Sequence, residues 1–212
     1  MAEVERSIDS LGALGIGVGC SVAGRPLDDP AFDPFFAELD RRRAVLFLHP
    51  VGAGAGPNTE QYGLTWMIGA PVEDTVAALR LVLSGLTTRY PRVRIIVPHL
   101  GGTLPFLFQR LDDAAERHRA SARDELPIED PPSDLIRRLW FDTVNQYPAA
   151  LRCACEAFGA DRLMLGTDFP YLAGPKFLGC VTYVQQSGLA DQDVRAILDG
   201  NAEELLGLAQ KV

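Results

Sequence analysis

The chain has 212 residues, 47% of them hydrophobic and 23% charged, which excludes a disordered or fibrous chain and suits one compact domain over 1–212. Its formal charge of −8 excludes general affinity for nucleic acid or anionic membranes, because both need a basic face. No apolar run reaches the roughly 18 residues that span a bilayer, and the opening stretch with Glu3 and Glu5 has no apolar signal segment, so a cytoplasmic protein is expected.

A helix is predicted over 3–13 and a strand of small residues over 15–21. Asp28-Asp29-Pro30 punctuates the chain before a helix over 32–43. The continuous apolar run at 45–49 predicts a buried strand. A loop rich in Gly and Pro fills 50–71. Residues 72–89 predict a helix with Val72, Val76, Leu79, Val82, Leu83 and Leu86 on its buried side, ended by Pro91. Further strands are predicted over 93–99, 139–144 and 162–170. Helices are predicted over 104–121, 133–138, 148–159, 175–187 and 190–207, with an acidic loop over 122–132. Cys20, Cys153, Cys155 and Cys180 read as reduced thiols, with Cys153 and Cys155 on different faces of their helix. Alternation of strand and helix without hairpin signals means parallel strands and helical crossovers. An open doubly wound sheet and a (β/α) barrel both satisfy it, and both gather reactive side chains where strands end.

Those ends are polar. One strand finishes at His49-Pro50, the next at Pro98-His99-Leu100-Gly101-Gly102. Another carries Asp142 and Thr143, and the last ends at Gly166-Thr167-Asp168-Phe169-Pro170. Two of only three histidines sit at this edge. Imidazole and carboxylate converging there suit a divalent metal, and a histidine off the metal can move protons near neutral pH. A single histidine after a strand is commonly structural, and Asp168 could simply cap its turn. The joint pattern across separate strands favours a shared site. His118, amid Glu116, Arg117 and Arg119, reads as solvated surface.

His49-Pro50 with Trp66 downstream, the 98–102 and 166–170 motifs, and Gly200-Asn201-Ala202 followed by Leu205-Leu206-Gly207-Leu208 resemble the amidohydrolase-related decarboxylases. The similarity runs from about residue 4 to 208. It implies a (β/α)8 barrel of the metal-dependent hydrolase type and removal of carboxylate from a small conjugated or aromatic acid. Hydrolysis by a related enzyme, or a silent barrel fragment that works by association, are the alternatives. The resemblance implies His49 and Asp168 as ligands of a divalent metal, zinc first and manganese second. Asp168 and His99 would be catalytic, His99 as the acid/base. Trp66 would line the substrate pocket. Arg110 would hold the substrate carboxylate of a neighbouring subunit, which implies a homodimer or larger homo-oligomer.

The sequence departs from that family in one respect. It has no His-x-His, the pair that supplies two metal ligands on the family's first strand, and about five strand–helix units rather than eight. The expectation is an incomplete barrel lacking the first three units, with weakened metal affinity and low turnover. The glycines at 52, 54 and 56 make the 50–71 loop a candidate substrate lid; with no following Lys-Ser/Thr they do not make a phosphate loop.

Overall fold

The protein is described by a computed structural model over residues 1–121 and 126–208. The chain opens with α1 (Ala2–Val4), which runs on as a wider turn over Glu5–Ser10. Five strands form one parallel sheet: β1 (Gly15–Gly19), β4 (Val45–His49), β5 (Arg94–Val97), β6 (Trp140–Asp142) and β7 (Leu163–Met164), adjacent in that order. Each follows the last by a helical crossover, as strand–helix alternation requires. The register pairs Gly19 with His49, Phe47 with Ile96, Val97 with Phe141 and Asp142 with Met164. Polar side chains at the strand ends are therefore aligned along one edge. Among the described residues β1 and β7 are paired on one side only, so the sheet is an open arc.

The two-residue side-chain period divides the strands between two cores. Leu46, Leu48, Ile95, Val97, Phe141 and Leu163 join the main core with the helices. Val45, Ile96, Trp140 and Met164 face the other way and meet Leu205, with Phe47 packed beside them. His49 continues the Val45–Phe47 series and emerges on this second face.

The small antiparallel pair β2 (Ser21–Val22) and β3 (Arg25–Pro26) corrects the expectation of no hairpin. Ala23 and Gly24 both take positive φ, 50° and 75°, the two-residue turn that hairpins favour. α2 (Asp33–Arg42) ends where Arg43 turns left-handed, and Asp40 near its end is buried against Arg92. The predicted helix 72–89 is two helices, α3 (Ala70–Leu83) and α4 (Leu86–Arg89), broken where Gly85 adopts φ 70°. Its buried side is corrected in part: Val82 and Leu86 are buried as predicted, but Val76 is 49% exposed, and Asp74, Ala77, Ala78 and Leu81 are buried instead. Ala77 and Ala78 sit in the main core, and Asp74 finds its partners in Cys20, just after β1, and His99, after β5.

α5 (Leu104–Ser121) matches its predicted bounds. Of the predicted 122–132 loop, 122–125 lie outside the described residues, and Pro132 begins α6 (Pro132–Ile136). α7 (Pro148–Phe158) and α8 (Pro175–Gln185) flank the last strands. The final predicted helix is α9 (Asp191–Arg195), a wide turn over Ala196–Gly200, and α10 (Asn201–Leu206). Asn201 is buried and donates to the carbonyls of Ala160 and Leu163, fixing α10 to β7. His118 is half-buried rather than fully solvated, with Nε2 shielded from water. Among the described residues no helix is long and apolar enough to cross a membrane.

Candidate active site

A cavity of about 770 Å3 opens at the C-terminal edge of the sheet. His49 from β4, His99 after β5 and Asp168 after β7 all line it, with Trp66 and Lys176. The same three side chains also border a smaller cavity that reaches between the strands past Asp142 and Met164. The three thus share the wall of one cavity. Arg110 does not join them; it is exposed on α5, away from the cavity wall.

His99 sits in an unusual backbone. After the extended Pro98, four residues in succession have positive φ: His99 55°, Leu100 54°, Gly101 72° and Gly102 62°. The left-handed region costs a residue with a Cβ roughly 1–2 kcal/mol. The two that carry one are held in place: Leu100 is buried in the core, and the His99 N–H donates to Asp142 Oδ1 at 2.8 Å. The glycines have no substitute. A Cβ on Gly102 would stand 2.1 Å from the Pro71 carbonyl oxygen.

The His99 ring is fixed as firmly as its backbone. Nδ1 lies 2.7 Å from Oδ2 of Asp74, a wholly buried carboxylate on α3. The other Asp74 oxygen accepts from the Cys20 thiol at 3.4 Å. Burial opposes protonation of His99, but Asp74, helped by Asp142 and Asp168, outweighs it and raises the imidazole pKa. Burial also raises the pKa of Asp74, against the opposing pull of His99. The Cys20 thiol is pushed up by burial and by Asp74, far from thiolate chemistry.

Asp142 is 5% exposed and accepts from two backbone N–H groups, His99 and Val144. Burial pushes its carboxyl up to about 6. Gly166 makes room for it, since a Cβ there would stand 2.7 Å from the Asp142 Cβ.

His49 Nδ1 lies 2.8 Å from the Pro50 carbonyl oxygen. That carbonyl can only accept, so Nδ1 donates and a neutral ring keeps its Nε2 lone pair for another partner. Asp168 turns into the cavity with φ 53°. Among the described residues no three His, Cys, Asp or Glu side chains cluster as a metal-binding group.

The loop over 50–71 is more built than its glycines suggested. Glu73 accepts from the N–H groups of Val51 and Gly54, each at 2.8 Å, and pins the loop to α3. Residues Pro57–Thr59 and Thr65–Gly69 are helical turns. Gly52, at φ 77°, lies against the indole of Trp66, where a Cβ would come within 2.9 Å. Trp66 is 52% exposed, and Phe169 and Tyr171 are also open on the cavity wall. Lys176, in the first turn of α8, is the one Lys or Arg on that wall among the described residues.

Asp74 and Lys176 are the residues that sequence reasoning missed. An acid at the head of the 74–77–78–81 stripe was the available signal for Asp74, because a carboxylate on an inward helix face needs a partner. Lys176 gave no local signal beyond its rarity, since the chain has only one other lysine, Lys211.

The architecture is that of an α/β protein whose parallel strands form an open arc with imidazole and carboxylate groups along its C-terminal edge. The chain belongs to the amidohydrolase family: the model described as "Amidohydrolase" matches residues 1–208. It is 31% identical to a 2-amino-3-carboxymuconate-6-semialdehyde decarboxylase of Dictyostelium discoideum, over 97% of this chain and 56% of that protein. A 5-carboxyvanillate decarboxylase of Novosphingobium aromaticivorans, solved with manganese and 4-hydroxy-3-methoxy-5-nitrobenzoic acid, superposes with a TM-score of 0.87 at 26% identity, over 97% of this chain and 60% of that one. A dihydroxybenzoic acid decarboxylase of Polaromonas sp. JS666, solved with manganese and 2-nitroresorcinol, gives 0.81 at 26%, over 99% and 65%. The chain thus spans less than two thirds of each relative.

Proposed function

We propose that this chain carries the reaction centre of a metal-dependent, nonoxidative decarboxylase acting on a small conjugated or aromatic carboxylic acid. The observation that carries the reading is the meeting of His49, His99 and Asp168, from three strand ends, on one aromatic-walled cavity. The similar proteins named above are decarboxylases, and two of them were solved with manganese.

His49 and Asp168 fit a divalent cation in kind. One offers the free imidazole Nε2 and the other a carboxylate oxygen, a donor pair that suits zinc or manganese. They would fill two of the four positions zinc ordinarily uses. When bound, the cation supplies electrostatic stabilisation of the negative charge left as CO2 departs. His99 delivers a proton from Nε2 to the carbon that loses the carboxylate, its Nδ1 being taken by Asp74. Trp66, Phe169 and Tyr171 stack or shield the conjugated system, and Lys176 pairs with an anionic substituent. Arg110 is exposed outside its own chain's cavity, and its proposed role, taken from the family resemblance, is to hold the substrate carboxylate of a second copy in a homodimer or larger assembly. The four free thiols fit a reducing, cytoplasmic setting.

The test is CO2 release from 2,6-dihydroxybenzoate and other hydroxybenzoates after loading with Mn2+ or Zn2+. His99→Ala is expected to abolish release while leaving the bound metal unchanged. No release with either metal, or release indifferent to His99→Ala, overturns the reading.

A further inference from the structure

Asp74 is an expensive residue where it stands. It is wholly buried on the inward stripe of α3, where its neighbours are Ala77, Ala78 and Leu81. Taking a carboxylate out of water costs several kcal/mol unless partners compensate. An alanine or leucine would complete that stripe without this cost. The carboxylate has two partners and no others among the described residues: His99 Nδ1 at 2.7 Å and the Cys20 thiol at 3.4 Å.

The consequence falls on the other side of the ring. His99 has two nitrogens, and Asp74 occupies the one facing α3. Nε2 has no partner among the described residues, and the ring lines both cavities. A carboxylate on Nδ1 selects the tautomer in which Nδ1 carries the hydrogen, and it fixes ring rotation. Cys20 sits at the end of β1 and donates to the opposite carboxylate oxygen, so the carboxylate is itself held by the sheet. The left-handed turn of His99 completes the constraint, because its N–H is tied to Asp142.

We propose that Asp74 is the positioning residue of His99, acting from α3 through Nδ1 to present Nε2 to the cavity, with Cys20 holding the carboxylate in line. The inference rests on the reading of His99 as the proton-transfer residue. It reaches further in naming a helix-borne acid that never touches substrate.

The test uses histidine labelled with 15N in the full chain, read by long-range proton–nitrogen correlation. The sequence has three histidines, so His49→Gln and His118→Gln variants assign the spectrum. At a pH where His99 is neutral, the wild-type ring is expected as a single tautomer with hydrogen on Nδ1. Asp74→Asn, whose amide can donate as well as accept, is expected to give a mixture of tautomers, and Asp74→Leu to favour hydrogen on Nε2. Cys20→Ser, which keeps a donor, is expected to leave the tautomer unchanged. With active protein, Asp74→Asn is expected to lower kcat roughly 10–100-fold with little change in KM. If Asp74→Leu fails to fold, Asp74→Asn alone decides. A wild-type ring with hydrogen on Nε2, or a tautomer indifferent to Asp74→Asn, overturns the proposal. The tautomer shifting as expected in a chain that releases no CO2 from any hydroxybenzoate overturns the decarboxylase reading and leaves Asp74 as the residue that sets His99.

Discussion

The backbone N–H of His99 donates to Oδ1 of Asp142 across 2.8 Å, joining the end of β5 to the end of β6. This bond holds a left-handed histidine in place, and it uses a carboxylate that burial disfavours. The Asp142 carboxyl lies near 6 in the folded chain against a usual 3.8. Between those values the folded chain keeps a proton that the unfolded chain releases. Stability from this group therefore falls as pH rises from about 4 to 6, by about 3 kcal/mol in all. Asp142→Asn keeps the acceptor oxygen and removes the titration. Urea unfolding at pH 4, 5, 6 and 7 should show the variant gaining on wild type as pH rises. Parallel profiles for the two proteins would rule this account out. Asp142→Ala strands two buried N–H groups and is expected to cost about 1–3 kcal/mol for each.

Trp66 stands where it does because Gly52 has no side chain. With φ 77° and a Cβ position 2.9 Å from the indole, Gly52→Ala has to move either the loop or the ring. Trp140 is buried, so Trp66 is the tryptophan that a solution quencher reaches. Acrylamide quenching is expected to change in Gly52→Ala while the melting temperature moves by only a few degrees. On the proposed function, binding of a hydroxybenzoate, followed by loss of Trp66 emission, is expected to weaken in the same variant. Unaltered binding would mean that the indole does not shape the cavity.

Much of this site was legible in the sequence because strand ends are local. Apolar runs at 45–49 and 93–97 fix where β4 and β5 stop, and whatever follows must lie at the edge. His49, His99 and Asp168 could thus be placed together without coordinates. Asp74 could not, because its meaning depends on which face of α3 turns inward. The valines and leucines at 72, 76, 79 and 83 outbid the alanines in any count of hydrophobicity, yet Ala77 and Ala78 face the core. Burial in the main core suits small side chains there, and periodicity cannot weigh that. The β2–β3 hairpin was missed for a similar reason. Ala23-Gly24 is a weak turn signal, and the positive φ of Ala23 is set by the pairing around it.

Lys176 and Arg110 are separable by experiment. Lys176 lines its own chain's cavity, whereas Arg110 faces outward from α5. On the proposed function, Lys176→Gln is expected to weaken binding of a hydroxybenzoate about tenfold, or about 1.4 kcal/mol, close to the lower end for a charge-assisted hydrogen bond. Arg110→Ala is expected to matter only where copies associate. Titrations repeated across a hundredfold range of protein concentration, with sedimentation in parallel, distinguish the two. An Arg110→Ala effect that persists in the monomer would contradict its assignment to a partner's site.

Far from the cavity, Asp40 and Arg92 tie the end of α2 to the turn that leads into β5. Asp40 Oδ1 accepts the Arg92 backbone N–H at 2.7 Å, and Oδ2 accepts the guanidinium Nε at 2.8 Å. The Arg92 guanidinium beside Asp40 holds its carboxyl below the usual carboxylate range. The sign is opposite to that of Asp142. Here the unfolded chain binds the proton first, so the contribution is complete above about pH 4 and is lost as pH falls through the lowered folded value. The Arg92 side chain is half exposed, so solvent screening keeps the ion pair's contribution small. Asp40→Asn should therefore be less stable than wild type at pH 7 and approach it below pH 3. A deficit that stayed constant down to pH 2 would trace the loss to the backbone hydrogen bond rather than to the charge. In a double-mutant cycle with Arg92→Ala, the coupling energy is expected to shrink in 1 M salt, because screening acts on exposed charges.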